Sequence, residues 1–140
     1  MSTSVRRTRA ISAANATPHK GVVLDSSLSI VLPAYNAQDR LAAQVHELLE
    51  VLPDLAARFE VLIVDDGSSD HTDEVAYELV RQFPQLKAIR HSEPLGEAAV
   101  IQTAIQNTSG EEELYVTVEA AAPISLKRLR ATLKELLKES

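Results

Sequence analysis

The sequence contains no cysteine and no tryptophan, and it has no long hydrophobic run. Without cysteine, the chain forms no disulfide bond, thiolate zinc site or cysteine nucleophile. No apolar run approaches the roughly 20 residues that a membrane-spanning helix needs, so we expect no membrane span. The 140 residues are 45% hydrophobic and 24% charged, which is the composition of one globular domain.

Several glycine-dependent motifs are also absent. The chain has no G-x-G-x-x-G dinucleotide fingerprint, no G-x-x-x-x-G-K-[ST] phosphate loop and no G-x-S-x-G nucleophile elbow. No pair of histidines has the i, i+4 spacing with a carboxylate, which argues against a zinc site. His71 is within reach of Asp66 or Asp70 along the chain, but the favoured interpretation is a polar residue in a first helical turn.

Negative charge is concentrated in the middle of the chain. Residues 28–124 carry seventeen acidic and five basic side chains, a net charge of −12, whereas residues 1–27 and 125–140 are both basic. An acidic centre disfavours nucleic acid, because that binding depends on Lys and Arg neutralising phosphates. A diphosphate would also need a metal ion or helix N-termini to supply positive potential.

The first 27 residues show no apolar periodicity and are rich in Ser, Thr, Ala and Arg. We expect a disordered tail over residues 1–27 and a single domain over residues 28–140. A transit peptide, which is typically rich in Arg and Ser and poor in acid, is the alternative for the tail. The Arg6–Arg7 pair is followed by no apolar segment of an export signal, and we expect a cytoplasmic protein.

From residue 28 onward, short apolar runs alternate with amphipathic segments. Strands are expected at 28–33, 60–65, 86–91 and 114–118. Helices are expected at 40–52, 72–83, 96–107 and 125–139, the second of them capped by Asp70. This alternation predicts an α/β fold, a three-layer α/β/α sandwich with a parallel sheet of about four strands. Ligands of such sheets bind outside the carboxyl ends of the strands.

The loops after the first two expected strands carry the most informative residues. The first reads Leu32-Pro33-Ala34-Tyr35-Asn36 and the second reads Val64-Asp65-Asp66-Gly67-Ser68-Ser69-Asp70. A tyrosine after a strand can stack on a base or sugar, or pack on the edge of the core. Adjacent carboxylates there can accept hydrogen bonds from a ribose or base, or form only a turn and a helix cap.

In combination, these two segments resemble the opening of family 2 glycosyltransferases of the GT-A fold, and the resemblance covers roughly residues 28–130. It implies a Rossmann-like half domain that binds a nucleotide-sugar donor, most simply a UDP-sugar. It implies nucleoside contacts from five residues: Pro33, Ala34, Tyr35, Asp65 and Asp66. It also implies a metal-binding Asp-x-Asp motif at Thr117-Val118-Glu119, degenerate here, with Glu119 as the ligand of Mg²⁺ or Mn²⁺.

Two departures from the family's pattern shape the expected function. Glu97 stands where the family often has Lys or Arg, and the chain ends where the family usually begins its acceptor-binding half. We therefore expect a protein that is catalytically degenerate or depends on a protein partner, with its catalytic residues unassigned. The alternative is a non-catalytic nucleotide sensor or an accessory or scaffold subunit. A receiver-like signalling domain is disfavoured, because its further Asp and its Lys are missing.

Overall fold

Five strands and three helices form the part of the chain that the structure describes. The structure is a computed structural model that describes residues 4–7, 27–110 and 112–117. The strands are β1 (Ser4–Arg7), β2 (Leu28–Ala34), β3 (Phe59–Asp65), β4 (Leu86–Arg90) and β5 (Glu112–Thr117). The helices are α1 (Leu41–Val51), α2 (Thr72–Gln82) and α3 (Glu97–Asn107), and a 3-10 turn at Leu52–Asp54 follows α1. None of these described helices is long and apolar enough to cross a membrane.

The strands form one sheet in the order β1-β5-β2-β3-β4. Strands β5, β2, β3 and β4 are parallel, which confirms the expected parallel sheet of about four strands. Strand β1 pairs antiparallel with β5 and lies inside the segment 1–27 for which we expected a disordered tail. The sequence of β1 lacks apolar periodicity, and the strand is held by hydrogen bonds to the edge of β5. A pattern of neighbouring residues therefore does not predict it. Residues 8–26 lie outside the described residues.

Side chains of the central strands alternate between two apolar clusters. Ile30 of β2 and Ile63 of β3 belong to the cluster that contains the buried side chains of α1 and α2. Val31 and Leu62, which are their neighbours in sequence, pack with Val100 and the rest of the buried face of α3. Because successive side chains of a strand point to opposite faces, α1 and α2 cover one face and α3 covers the other. The three-layer arrangement is confirmed, and the helix expected at 125–139 lies outside the described residues.

The strand order reverses beside β2. Strands β2, β3 and β4 follow one another across the sheet, and the chain then returns through α3 to β5 on the other side of β2. In open α/β sheets, the crevice at such a reversal, outside the carboxyl ends of the strands, is the usual place for a ligand. The topology therefore directs attention to the residues that follow β2 and its neighbours.

A partly buried carboxylate at the amino end of the sheet holds the chain before β5. Glu60 accepts hydrogen bonds from Ser29 Oγ at 2.6 Å and from the Ser109 N–H at 2.7 Å. Ser29 Oγ in turn accepts the Gly110 N–H at 2.8 Å, and Lys87 Nζ lies 2.8 Å from the other Glu60 oxygen. Burial raises the pKa of Glu60, but the contacts with Lys87, Ser29 and Ser109 outweigh it and lower the pKa to about 2.

Candidate functional site

Three loops meet at the carboxyl edge of the sheet. They are the β2 loop (residues 35–40), the β3 loop (66–71) and the β4 loop (91–96), each named after the strand that precedes it. The sequence also predicted a fourth loop, 119–122, which lies outside the described residues. Hydrogen bonds join the β3 loop to the β2 loop on one side and to the β4 loop on the other, and these bonds define the shape of the edge.

The β2 and β3 loops are joined through one asparagine. Asn36 Oδ1 accepts the Ser69 N–H at 2.9 Å, and the Asn36 N–H donates to Ser68 Oγ at 2.9 Å. Asn36 has a φ of +49°, in the left-handed region that asparagine tolerates better than most residues. One residue on, the Ala37 N–H donates to Thr72 Oγ1 at 2.8 Å. The start of α2 is thereby fixed to the end of β2.

The start of α2 differs slightly from the expectation. His71, not Asp70, is the residue at the N-cap position, although Asp70 Oδ1 still accepts the Thr72 N–H at 2.9 Å. Burial raises the pKa of Asp70, but hydrogen bonds from Thr72 and Gln38 outweigh it and lower the pKa. The His71 ring lies 3.1 Å from Glu74 Oε1 and not at Asp66, so His71 is a polar residue of the first helical turn.

Asp65 is the more deeply buried member of the acidic pair, with 1% of its surface exposed. Its Oδ1 accepts hydrogen bonds from both the N–H and the hydroxyl of Ser68, which closes the turn of the β3 loop. Its Oδ2 has no hydrogen-bond partner among the described residues and lies 3.6 Å from Arg90 Nε. Arg90 also lies 3.9 Å from Asp73 Oδ2 of α2, so Asp65 belongs to a charged cluster on the α2 side of the sheet.

Asp66 points to the opposite face and binds the β4 loop. Its Oδ1 accepts hydrogen bonds from His91 Nδ1 at 2.7 Å and from the Leu95 N–H at 2.9 Å. Its Oδ2 accepts the Gly96 N–H at 3.0 Å. Burial raises the pKa of Asp66, but the hydrogen bonds from His91, Leu95 and Gly96 outweigh it and lower the pKa. The carboxylate therefore stays ionised and fixes the end of the β4 loop, where α3 begins.

Gly67 allows the β3 and β4 loops to pack backbone against backbone. Its φ is +69°, a conformation that residues with a side chain rarely adopt. A Cβ at this position would lie 2.3 Å from the carbonyl carbon of Glu93 and 2.5 Å from the nitrogen of Pro94. The glycine of the Asp-Asp-Gly segment is therefore required by two independent constraints.

The remaining predicted site residues lie beside this edge. Pro33 is partly buried and pairs with Val64 in the sheet, and the carbonyl of Ala34 accepts the Asp66 N–H at 2.9 Å. The ring of Tyr35, the first residue after β2, is 53% exposed. The five residues expected to contact a nucleoside are thus neighbours at one edge of the sheet: Pro33, Ala34, Tyr35, Asp65 and Asp66.

The expected metal ligand, Glu119, lies outside the described residues, and Thr117 is the last residue of β5. Within the part of the chain that the structure describes, no group of three or more His, Asp and Glu side chains could hold a metal ion. The described residues therefore do not form a metal site by themselves. Glu97, which stands where a basic residue was expected from the family, is the exposed first residue of α3.

His91 also lies at this edge, although it is not among the site residues expected from the sequence. It is nearly buried, and its ring lies between Asp66 and Thr103 of α3. A signal for it was present in the sequence, since His91 directly follows β4 as Asp66 directly follows β3. In the observed register Asp65 pairs with Arg90, so the next two residues along the chain, Asp66 and His91, lie side by side.

Comparisons with known proteins match this same part of the chain. The family described as glycosyl transferase family 2 matches residues 29–119. A dolichyl-phosphate beta-glucosyltransferase of Trichomonas vaginalis is 32% identical over 117 residues, which cover 79% of this chain and 36% of that protein. The dolichyl-phosphate beta-glucosyltransferase of Homo sapiens is 30% identical over 117 residues, 78% of this chain and 36% of that protein. The chain thus spans about a third of the length of these curated relatives.

Two solved structures share the fold. The mannosyltransferase PcManGT of Pyrobaculum calidifontis, in complex with GDP-Man and Mn²⁺, has a TM-score of 0.59 at 21% identity, over 71% of this chain and 27% of that one. Staphylococcus aureus TarS in complex with UDP-GlcNAc has a TM-score of 0.60 at 23% identity, over 77% of this chain and 30% of that one. With the family match extending from the second residue of β2 to beyond β5, this chain belongs to the family 2 glycosyltransferases and has their GT-A fold.

Proposed function

We propose that the chain forms the donor-binding half of a family 2 glycosyltransferase and binds the nucleotide of a nucleotide-sugar. The observation that carries this proposal is the edge built by the β2, β3 and β4 loops beside the reversal in strand order. There, the exposed ring of Tyr35 stands next to a carboxylate pair that hydrogen bonds hold in place. A flat apolar ring beside fixed hydrogen-bond acceptors is what a nucleoside needs.

Each predicted residue has a distinct role in this proposal. Tyr35 stacks against the base or the ribose, and the backbone of Pro33 and Ala34 forms the wall behind it. Asp66 is ionised, and its Oδ2 accepts one hydrogen bond from the described residues, so it retains capacity for a donor on the ligand. Asp65 is buried and acts by shaping the β3 loop through Ser68.

The diphosphate of the donor requires positive potential that the acidic edge does not supply. A Mg²⁺ or Mn²⁺ ion held with the help of Glu119 would provide it, and it would stabilise the charge that develops on the departing nucleoside diphosphate. The presence of Mn²⁺ beside GDP-Man in PcManGT supports this part of the proposal. The described residues alone do not hold such an ion, so the proposal assigns metal binding to Glu119 and to the ligand's own phosphates.

Transfer of the sugar to a hydroxyl needs a base, and Asp65 and Asp66 both serve to hold the loops of this edge in place. Asp65 is buried against Ser68, and Asp66 accepts two backbone N–H groups and a histidine. We therefore propose that catalysis depends on a protein partner or on further chain that supplies the acceptor site. The curated relatives are named for glucosyl transfer to dolichyl phosphate, which favours a glucose-carrying nucleotide as the first donor to test.

Calorimetric titration of the full chain with UDP, UDP-glucose and GDP-mannose, each with and without Mn²⁺, tests the proposal. We expect binding of a uridine nucleotide in the micromolar range, strengthened by Mn²⁺. Replacing Tyr35 by Ala should weaken binding about tenfold, because an aromatic ring stacked on a base contributes on the order of 1–3 kcal/mol.

Tyr77→Ala is the matched control, since Tyr77 is also exposed but lies on α2. Equal losses in the two variants would show that the ring of Tyr35 has no special role. Absence of binding to every nucleotide tested would refute donor binding. Binding that is independent of Mn²⁺, without transfer when an acceptor is added, would instead support a nucleotide sensor or accessory subunit.

A further inference from the structure

The imidazole of His91 connects two parts of the chain that no backbone pairing joins. Its Nδ1 lies 2.7 Å from Asp66 Oδ1, and its Nε2 lies 2.7 Å from Thr103 Oγ1 in the middle of α3. The His91 side chain is only 8% exposed and that of Asp66 is 15% exposed. Both ring nitrogens are therefore used, in a site from which most water is excluded.

The chemistry of the partners fixes the direction of both hydrogen bonds in the neutral ring. The carboxylate of Asp66 has no proton to give, so Nδ1 carries the hydrogen and donates it. Nε2 is then the acceptor of the Thr103 hydroxyl. The three groups form a chain of hydrogen bonds, Thr103 to His91 to Asp66, that leads from the body of α3 to the carboxyl edge of the sheet.

Asp66, whose side chain His91 orients, also contacts the end of the β4 loop. The same carboxylate that His91 holds also accepts the N–H groups of Leu95 and Gly96. The loop begins at His91 and ends at Gly96, so one carboxylate binds both of its ends. Gly96 has a φ of +96° and is the N-cap residue of α3, a position that needs external support because no side chain caps it.

We propose that His91 is a positioning residue of the donor site, acting through Asp66. By donating from Nδ1, it selects the side-chain rotamer in which Asp66 holds Leu95 and Gly96, and this sets the position of the β4 loop next to the nucleoside. The effect on nucleotide affinity rests on the proposed function, whereas the effect on the loop does not. Thr103 is the second anchor, since it orients the ring from the side of α3.

Two amide variants separate the two ring nitrogens. In His91→Asn the amide nitrogen stands near the position of Nδ1 and keeps a donor for Asp66. In His91→Gln the longer side chain brings its amide nitrogen to the position of Nε2, near Thr103, and the donor to Asp66 is lost. Each is compared with His46→Gln, a histidine of α1 whose ring contacts Phe83 and not the three loops.

The first readout is amide hydrogen exchange at Leu95 and Gly96 in the ligand-free chain. We expect His91→Gln to reduce their protection about tenfold, as for loss of a hydrogen bond to a charged group, while His91→Asn and His46→Gln stay near wild type. Thr103→Val should have a smaller effect in the same direction. Thermal unfolding of each variant checks that the whole chain still folds.

The second readout is nucleotide affinity by calorimetry, where His91→Gln should lose about tenfold and His91→Asn should recover most of that loss. Wild-type protection of Leu95 and Gly96 in His91→Gln would overturn the role of His91, as would equal defects in the Asn and Gln variants. Failure of the wild-type chain to bind any nucleotide would overturn the proposed function instead. The two failures are thus read from separate measurements.

Discussion

On the face of the sheet that α3 covers, β3 has one carboxylate near each of its ends, and these two carboxylates hold the two ends of α3. At the amino end, Glu60 binds the chain that leaves α3 through the Ser109 N–H. At the carboxyl end, Asp66 binds the chain that enters α3 through the N–H groups of Leu95 and Gly96. Because Glu60 and Asp66 are separated by an even number of positions along the chain, both lie on the face that α3 covers.

The two ends differ in what balances the negative charge. Glu60 is paired with the ammonium group of Lys87 at 2.8 Å and with two serines. Asp66 is balanced by backbone N–H groups and by one imidazole, beside the exposed ring of Tyr35. Glu60, which is paired with a lysine and two serines, holds the chain before β5. The carboxyl edge, which also lies outside the strand ends beside the reversal in strand order, is the edge for which we propose donor binding.

The largest expected effect comes from adding a side chain at the carboxyl edge. In Gly67→Ala the new Cβ would collide with the backbone of Glu93 at 2.3 Å, and the residue would be held at a φ of +69°. We expect a loss of about 3 kcal/mol in the free energy of unfolding, together with displacement of the β4 loop and loss of nucleotide binding. Urea denaturation and calorimetry measure the two effects.

Gly110→Ala is the matched variant at the amino edge, where a Cβ would lie 2.4 Å from Ser29 Oγ. It should also destabilise the fold, but nucleotide affinity at the folded fraction should stay within about twofold of wild type, because independent distant sites behave additively. If Gly110→Ala abolished nucleotide binding as Gly67→Ala does, the division of roles between the two edges would be wrong.

The comparison also shows how far sequence patterns reach. The apolar runs Ile30–Leu32 and Val61–Val64 predicted β2 and β3, because the hydrophobicity and length of a run are local properties of the sequence. The Asp-Asp-Gly segment placed the β3 loop correctly at the edge, since glycine and aspartate have strong turn preferences. The parallel sheet and the three layers then followed from the order of the elements.

What the sequence did not reveal depends on contacts between distant residues. Strand β1 exists through hydrogen bonds to β5, and its four residues carry no apolar pattern of their own. The roles of Asp65 and Asp66 look equal in the sequence, yet one faces Arg90 on the α2 side and the other faces α3. His91 follows β4 as Asp66 follows β3, which places it at the carboxyl edge, but its contact with Thr103 and the contact of Glu60 with Ser109 depend on where α3 lies in the fold.

Lowering the pH should have an effect of intermediate size on the free energy of unfolding, and this effect tests the role of the amino edge. The pKa of Glu60 is lowered from an ordinary value of 4.5 to about 2 in the folded chain. A carboxylate with a depressed folded-state pKa stabilises the fold above its unfolded-state pKa and loses that contribution as pH falls toward the folded-state value. Because Lys87 is half exposed and solvent screens the pair, Glu60 should contribute about 1–2 kcal/mol at neutral pH, lost progressively between about pH 5 and pH 2.

Urea denaturation of wild type and Glu60→Gln over pH 2–7 measures this contribution. The variant should be less stable at pH 7 and should show a shallower decline toward low pH, but not a flat one. Asp66 and Asp70 also have lowered pKa values and contribute a slope of the same sign. Parallel pH profiles in the two proteins would show that Glu60 is not a major source of acid sensitivity.

The smallest expected effect comes from removing the cation that is paired with Glu60. Lys87 is 52% exposed, and its partner Glu60 is 14% exposed, so solvent weakens the pair only from one side. Lys87→Met should lower the free energy of unfolding by about 1 kcal/mol. This is more than the ~0.5 kcal/mol expected for Arg81→Met, whose ion pair with Glu78 is exposed on both sides.

Lys87→Met should also raise the pKa of Glu60 and move the acid-induced decline in stability to higher pH. Nucleotide affinity should not change. If Lys87→Met weakened nucleotide binding as much as Tyr35→Ala, the charge at the amino edge would be coupled to the donor site, and the two ends of β3 would have to be treated as one unit.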